Sequence, residues 1–373
     1  MFRRAKKAFR RRPRNHLEFK VETSMRPCRF VCSALGVCFL LGLALRGFEP
    51  AGGYHLLRKV PLGAAPGGGE YFDYITFDAP SRRVYLSHGT EVKVLDADSD
   101  KLIGDISGLK RDHGVAIVPE LGRGFISDGD AAEVAIFDLK TLKITGRIKT
   151  DKDSDSILYD PASKRIFCFN GDPNSVSVID PAAEKVITTL PLGGAPEQAV
   201  ADGKGNIFDN LEDKNEVIAI DSRALKITAR WPVAPAGQPV SIAMDRQSRR
   251  LFIGARNPAM FVIMDADTGK LVAPPFPIGA RVDTTVFDPA TGLAAVSTGD
   301  GAIHIFHEDS PNQISVVETV KTEFGAKTMA LDPKLHNLLV DTSDFETPAA
   351  TAERPKPRPV AKPGTFRLLV YGR

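Results

Sequence analysis

The chain has 373 residues, 43% hydrophobic and 25% charged, the proportions of an ordinary soluble globular protein. Its net charge of +3 misleads, because residues 1–46 hold 12 of the 49 Lys/Arg and 2 of the 46 Asp/Glu, leaving 37 basic against 44 acidic groups, net −7, for the rest. That acidic body gives no bulk electrostatic case for nucleic acid, and Cys168, alone outside Cys28, Cys32 and Cys38 of the leader, excludes a disulfide scaffold.

Residues 1–50 read as a basic segment carrying an export signal. Phe30 to Leu45 is a 16-residue apolar run behind Arg26 and Arg29, short for a membrane span and suited to the core of a signal peptide. Met25 would give a conventional short leader, so the true start is expected there, with cleavage within Arg46–Gly53. An uncleaved signal anchor is the alternative. Either reading exports the rest of the chain to the periplasm or beyond. Only an uncleaved segment, residues 30–45, would hold it to the inner membrane.

Residues 54–373 read as one domain built from a phrase that recurs about every 42 residues. The turn after its first strand anchors at Asp78, Val118, Asp160, Asp202, Asp245, Asp288 and Asp332, and its third strand ends at Asp96, Asp138, Asp180, Asp221 and Asp265, then departs to His307 and Tyr371. In the first copy, Tyr74–Phe77, Val84–Ser87, Val92–Leu95 and Leu102–Ile106 are β-branched or aromatic runs between turn residues. Four such strands make one antiparallel propeller blade. The last copy stops after its third strand, while a spare strand, His55–Pro61, stands at the other end. The expected fold is therefore an all-β, seven-bladed propeller of four-stranded antiparallel blades, the last closed by the N-terminal strand. The aspartates of DPASK, DPATG and DPKLH, and those ending VLD and VID, are expected to be turn formers.

Candidate chemistry comes from what varies at a shared offset. Five residues before each turn anchor stand Asp73, His113, Asp155, Glu197, Val240, Asp283 and Lys327. The ends of the second strands read His88, Asp128, Asn170, Asn210, Ala255, Thr298 and Thr342, with Arg256 following the alanine. Both sets are expected to ring one mouth of the central channel and bind a ligand. Within them Asp73, His113, Asp155, Glu197 and Asp283 could hold a divalent cation, Ca or Mg, through oxygen and imidazole ligands. Crowded carboxylates could also supply a general acid or base.

Asp341–Gly364 is the one large insertion, placed between strands two and three of the last blade. Its Pro and Ala content predicts a flexible loop without a packed element, lying over the channel as a lid or presenting an extended segment to a partner. His304, His307 and His336 read as structural, Trp231 as packed between blades, and Cys168 in IFCF as a small buried hydrophobe. P-loop, GxSxG and HExxH motifs are absent from the sequence.

VSVID (Val176–Asp180), VIAID (Val217–Asp221) and HGVA (His113–Ala116) resemble the YVTN-type repeat of YncE-like propellers over roughly residues 55–373. That resemblance implies a seven-bladed, often exported propeller, in a group whose relatives include metal-dependent lactonases, a lyase and a DNA-binding member. The leading expectation is an exported module that binds a small ligand or an envelope protein at its channel mouth. The alternatives are a metal-dependent lactonase or lyase at the same site, or a nucleic-acid-binding propeller, which the acidic body disfavours.

Overall fold

A computed structural model describes residues 52–351 and 354–373. The basic leader, Met25 and the apolar run 30–45 lie outside the described residues. Seven four-stranded antiparallel sheets form a ring. Blades 1 to 6 span residues 75–107, 112–149, 154–191, 196–232, 239–277 and 282–321 in sequence. Blade 7 is composite. Its strands Met329–Asp332, Asn337–Thr342 and Phe366–Gly372 are completed by His55–Gly63, which pairs antiparallel with Phe366–Gly372 from His55↔Gly372 to Gly63↔Phe366.

The hydrophobic core lies between blades. Seven clusters of buried side chains fill the seven interfaces, one to each. The period-2 alternation of a strand explains how each blade serves two interfaces. In Phe366–Gly372, for example, Phe366, Leu368 and Val370 pack toward blade 1, while Leu369 and Tyr371 pack toward blade 6. Phe167 and Phe169 of blade 3 are fully buried beside Ile207 and Ile218 of blade 4. Each such ring removed from water contributes on the order of 1.5–3 kcal/mol. Cys168 is fully buried, and Trp231 packs into the interface of blades 4 and 5, stacked on Phe208.

The repeated aspartates make turns. Asp160 accepts the backbone N–H groups of Ala162 and Ser163, and Asp245 those of Gln247 and Ser248. Asp138 and Asp265 do the same at the ends of third strands. Four residues after a turn anchor the backbone is left-handed at Arg82, Gly122, Lys164, Arg249, Gly292 and His336. Several of these side chains then reach the turn aspartate of the preceding blade: Arg82 to Asp332 at 2.6 Å, Arg249 to Asp202 at 2.9 Å and His336 to Asp288 at 2.7 Å. One repeated position thus shapes a turn and ties neighbouring blades.

The insertion is more ordered than its composition predicts. Phe345–Glu346 and Val360–Ala361 form a two-stranded antiparallel ladder. Phe345 seats against Phe72 and Phe324, over Gly325, where a Cβ would stand 2.2 Å from its ring. One aromatic residue and a backbone ladder suffice to pin a segment that lacks apolar periodicity.

Candidate functional site

The inner strands of blades 2 to 6 each begin with a bulge, at Asp112/Val115, Ser154/Ile157, Pro196/Ala199, Pro239/Ser241 and Val282/Thr284. A bulge breaks the two-residue alternation and re-aims a side chain. The re-aimed positions are His113, Asp155, Glu197, Val240 and Asp283, and Asp73 and Lys327 hold the equivalent places in blades 1 and 7.

Asp73, Asp155, Glu197, Val240, Asp283 and Lys327 line one axial cavity of about 880 Å³. Tyr71, Tyr74, Arg256 and Arg281 line it too, and the insertion closes over it with Phe345, Arg358, Pro359, Val360 and Ala361. His113 sits directly behind this wall, 4% exposed.

Its imidazole Nδ1 lies 2.8 Å from Asp73 Oδ2 and 3.0 Å from Asp155 Oδ1, with Tyr71 Oη at 2.9 Å. Tyr71 donates its own proton to Asp73 at 2.8 Å. Burial works against a charged ring, but the bonds to Asp155 and Asp73 outweigh it and push His113 up to about 10. A pKa raised that far favours the protonated ring beside the Asp73 carboxylate at neutral pH. Burial pushes Asp155 up, whereas at Asp73 the bond from His113 and the charge of Lys327 overcome burial and hold the carboxyl down. Gly129 makes room for the ring, since a Cβ there would stand 2.8 Å from Nε2.

On the opposite side, Asp283 bridges Lys327 at 2.9 Å and Arg256 at 3.5 Å. Arg256 also donates from Nε to the Val282 carbonyl and reaches Glu212 at 3.4 Å. Burial and a hydrogen bond with Glu212 push Glu197 well above the usual carboxylate range.

A repeated serine in the second strand holds this wall from behind. Ser87 accepts the Asp73 N–H at 2.7 Å, Ser127 bonds Gly114 and the Asp155 carbonyl, and Ser297 bonds Thr284 and the Lys327 carbonyl. In blade 7 that slot holds Asp341, fully buried, with neither carboxylate oxygen partnered among the described residues and its carboxyl pushed well above the usual range by burial.

The ends of the second strands do not join the cavity, which corrects their expected placement. His88, Asp128, Asn170 and Asn210 are fully buried within and between blades. His88 stacks on Phe366 and bonds Glu70 through Nε2 at 2.8 Å, and burial lowers its pKa, so the ring is neutral. Asp128 accepts the N–H groups of Lys110 and Arg111, and Asn170 donates to Ser175 and Ser177. Asn210 is one residue out of phase, because the turn after Asp202 in blade 4 is shorter. Leu211 occupies the strand end there, pairing with Glu216, and Asn210 fills the serine slot. These positions point across the blade rather than along the axis. Arg256 reaches the cavity only because its strand runs one residue further than the others. Tyr71 and Arg281, seven residues before their turn anchors, Tyr74, four before, and Arg358 of the insertion stand at none of the offsets compared, and sequence reasoning missed them.

Asp73, His113 and Asp155 offer ligand atoms within 4.8 Å of one another. They fit a metal only if His113 gives up its proton, for Nδ1 already stands at hydrogen-bonding distance from both carboxylates.

The ring of seven four-stranded sheets defines a seven-bladed β-propeller. No family model and no curated protein sequence matches this chain. Solved structures share its fold. The WD40 repeats of RRP9 superpose with a TM-score of 0.66 at 9% identity, covering 83% of this chain and 99% of that one. A chain of hydrazine synthase from Kuenenia stuttgartiensis superposes at 0.62 with 12% identity, covering 78% and 95%. At such identities the likeness is one of architecture alone.

Proposed function

We propose that this protein is an exported propeller that binds a small polar ligand in its axial cavity, beneath the insertion of blade 7. One observation carries the reading. Side chains from six of seven blades, placed there by the start of each inner strand, converge with the insertion on a single cavity of about 880 Å³. That volume lies within the range of ~300–1,000 Å³ typical of small-molecule sites. The apolar run Phe30–Leu45 supports export, and the third-strand phrases VSVID and VIAID support kinship with YncE-like propellers.

A thermal-shift screen of amino acids, short peptides, sugars and organic acids tests it. Some of these should raise the melting temperature of the wild type, and the Asp73→Asn/Lys327→Met double variant should lose the response. A silent screen, or hits that the double variant retains, would reject the cavity as the site.

The close approach of Asp73, His113 and Asp155 favours a second reading, a Ca or Mg site supporting lactonase or lyase chemistry. Calorimetric titration with Ca²⁺, Mg²⁺, Mn²⁺ and Zn²⁺ decides it, and an absence of heat at millimolar metal removes it.

A further inference from the structure

The charges around the cavity are sorted by blade. Blades 1, 3 and 4 present the carboxylates Asp73, Asp155 and Glu197, and blade 5 presents Arg256, blade 6 Arg281 and blade 7 Lys327. The insertion adds Arg358 above the blade 7 side. Each half is partly neutralised from within. His113 offsets one carboxylate of the first half, and Asp283 offsets one cation of the second. Glu197, pushed well above the usual carboxylate range, adds no charge of its own, so the first wall carries at most one carboxylate in excess of His113, while Arg256, Arg281 and Lys327 outnumber Asp283 on the other. Tyr74 and Phe345 supply uncharged surface in the same cavity.

Two facing walls of opposite sign discriminate by charge arrangement. A simple anion gains at Arg256 and Lys327 but is repelled by the carboxylate wall. A simple cation meets the reverse. Only a molecule charged oppositely at its two ends satisfies both walls and leaves neither desolvated charge unmatched.

We infer that the ligand is amphoteric, and this rests on the cavity being the binding site. Its ammonium end faces Asp73 and Asp155, its carboxylate end faces Arg256, Lys327 and Arg358, and an uncharged middle lies against Tyr74 and Phe345. A cavity in the upper part of the small-molecule range suits a few linked residues better than one amino acid. A short peptide with free ends has this chemistry.

Calorimetry on the full chain with three probes tests it: trialanine, N-acetyl-trialanine and trialanine amide. Free trialanine should bind, and either cap should weaken binding about tenfold or more. Arg358 is exposed on the insertion and its replacement spares the core. Arg358→Gln should weaken trialanine and leave the amide unchanged, which a general loss of structure would not do. If a capped peptide binds as well as the free one, the amphoteric assignment falls and the cavity reading stands. If no peptide binds while the thermal-shift screen yields only sugars or organic acids as hits that the double variant abolishes, the assignment again falls alone. If the screen is silent as well, both fall.

Discussion

His113 shows how one residue can serve the cavity wall and the stability of the ring together. Its pKa rises from 6.5 to about 10 on folding, so the folded state holds the proton more tightly than the unfolded chain. The resulting stability is complete below pH about 6.5 and is lost as pH rises toward about 10. His113→Gln should cost about 3 kcal/mol or more near pH 6, as removal of one member of a buried ion pair does. Urea unfolding from pH 6 to 10 should show the gap between wild type and variant closing as pH rises, and a constant gap would mean that the ring is neutral. Asp341 makes the converse case. It occupies a slot where Ser87, Ser127 and Ser297 bond the wall, and its buried carboxyl finds no partner among the described residues. Because its folded pKa is raised, it resists ionisation and destabilises the fold increasingly as pH climbs past the ordinary carboxylate range. Asp341→Ser should therefore stabilise the protein, by more at pH 8 than at pH 5, in the same unfolding experiment. A loss of stability at both pH values would show that the carboxyl has a partner in solution.

At the scale of elements, the insertion and the inner strands follow different rules. The ring from Asp73 to Lys327 was legible because bulges recur at one offset, so aligned copies expose the residues that differ. The ends of the second strands misled that alignment. Strand ends such as His88 and Asp128 share the offset regularity, but their side chains face across the blade, and the short turn after Asp202 shifted Asn210 by one place. Tyr71 and Tyr74 were illegible for a simpler reason, since they sit at offsets other than the one compared, and Arg358 lies in the insertion and has no copies to compare. The ladder of the insertion rests on Phe345 alone among its large apolar side chains, too little to create a periodic signal. Replacing residues 347–357 by Asn-Gly should keep that ladder and leave the melting temperature within about 2 °C of wild type. A fall of more than about 5 °C would make the whole insertion part of the packed structure.

For the whole molecule, the composite blade 7 decides whether there is a ring at all. The strand His55–Gly63 covers the edge of Phe366–Gly372, and beside it Glu70 ties three parts of the closure. Glu70 bonds His88 of blade 1, the Ala65 N–H that follows the closing strand, and the Gly364 N–H that precedes the last strand. Deleting residues 54–63 exposes an unpaired strand edge and removes Val60 and Leu62 from the interface of blades 7 and 1. The truncated chain should melt at least about 10 °C lower or accumulate as aggregate, by calorimetry and size-exclusion chromatography. An unchanged melting temperature would relegate the closure to decoration.

The same closure sets a timetable for biosynthesis. His55–Gly63 is among the first parts of the propeller to be made, and its strand partner, Phe366–Gly372, is among the last. Blades 1 to 6 can condense in order as they emerge, but the faces of blades 1 and 6 that meet blade 7 stay open until translation has nearly finished. During that interval the growing chain displays two apolar faces and one orphan strand. Two nascent chains side by side could then exchange His55–Gly63 and close each other, so crowded synthesis should yield swapped dimers before it yields misfolded monomers.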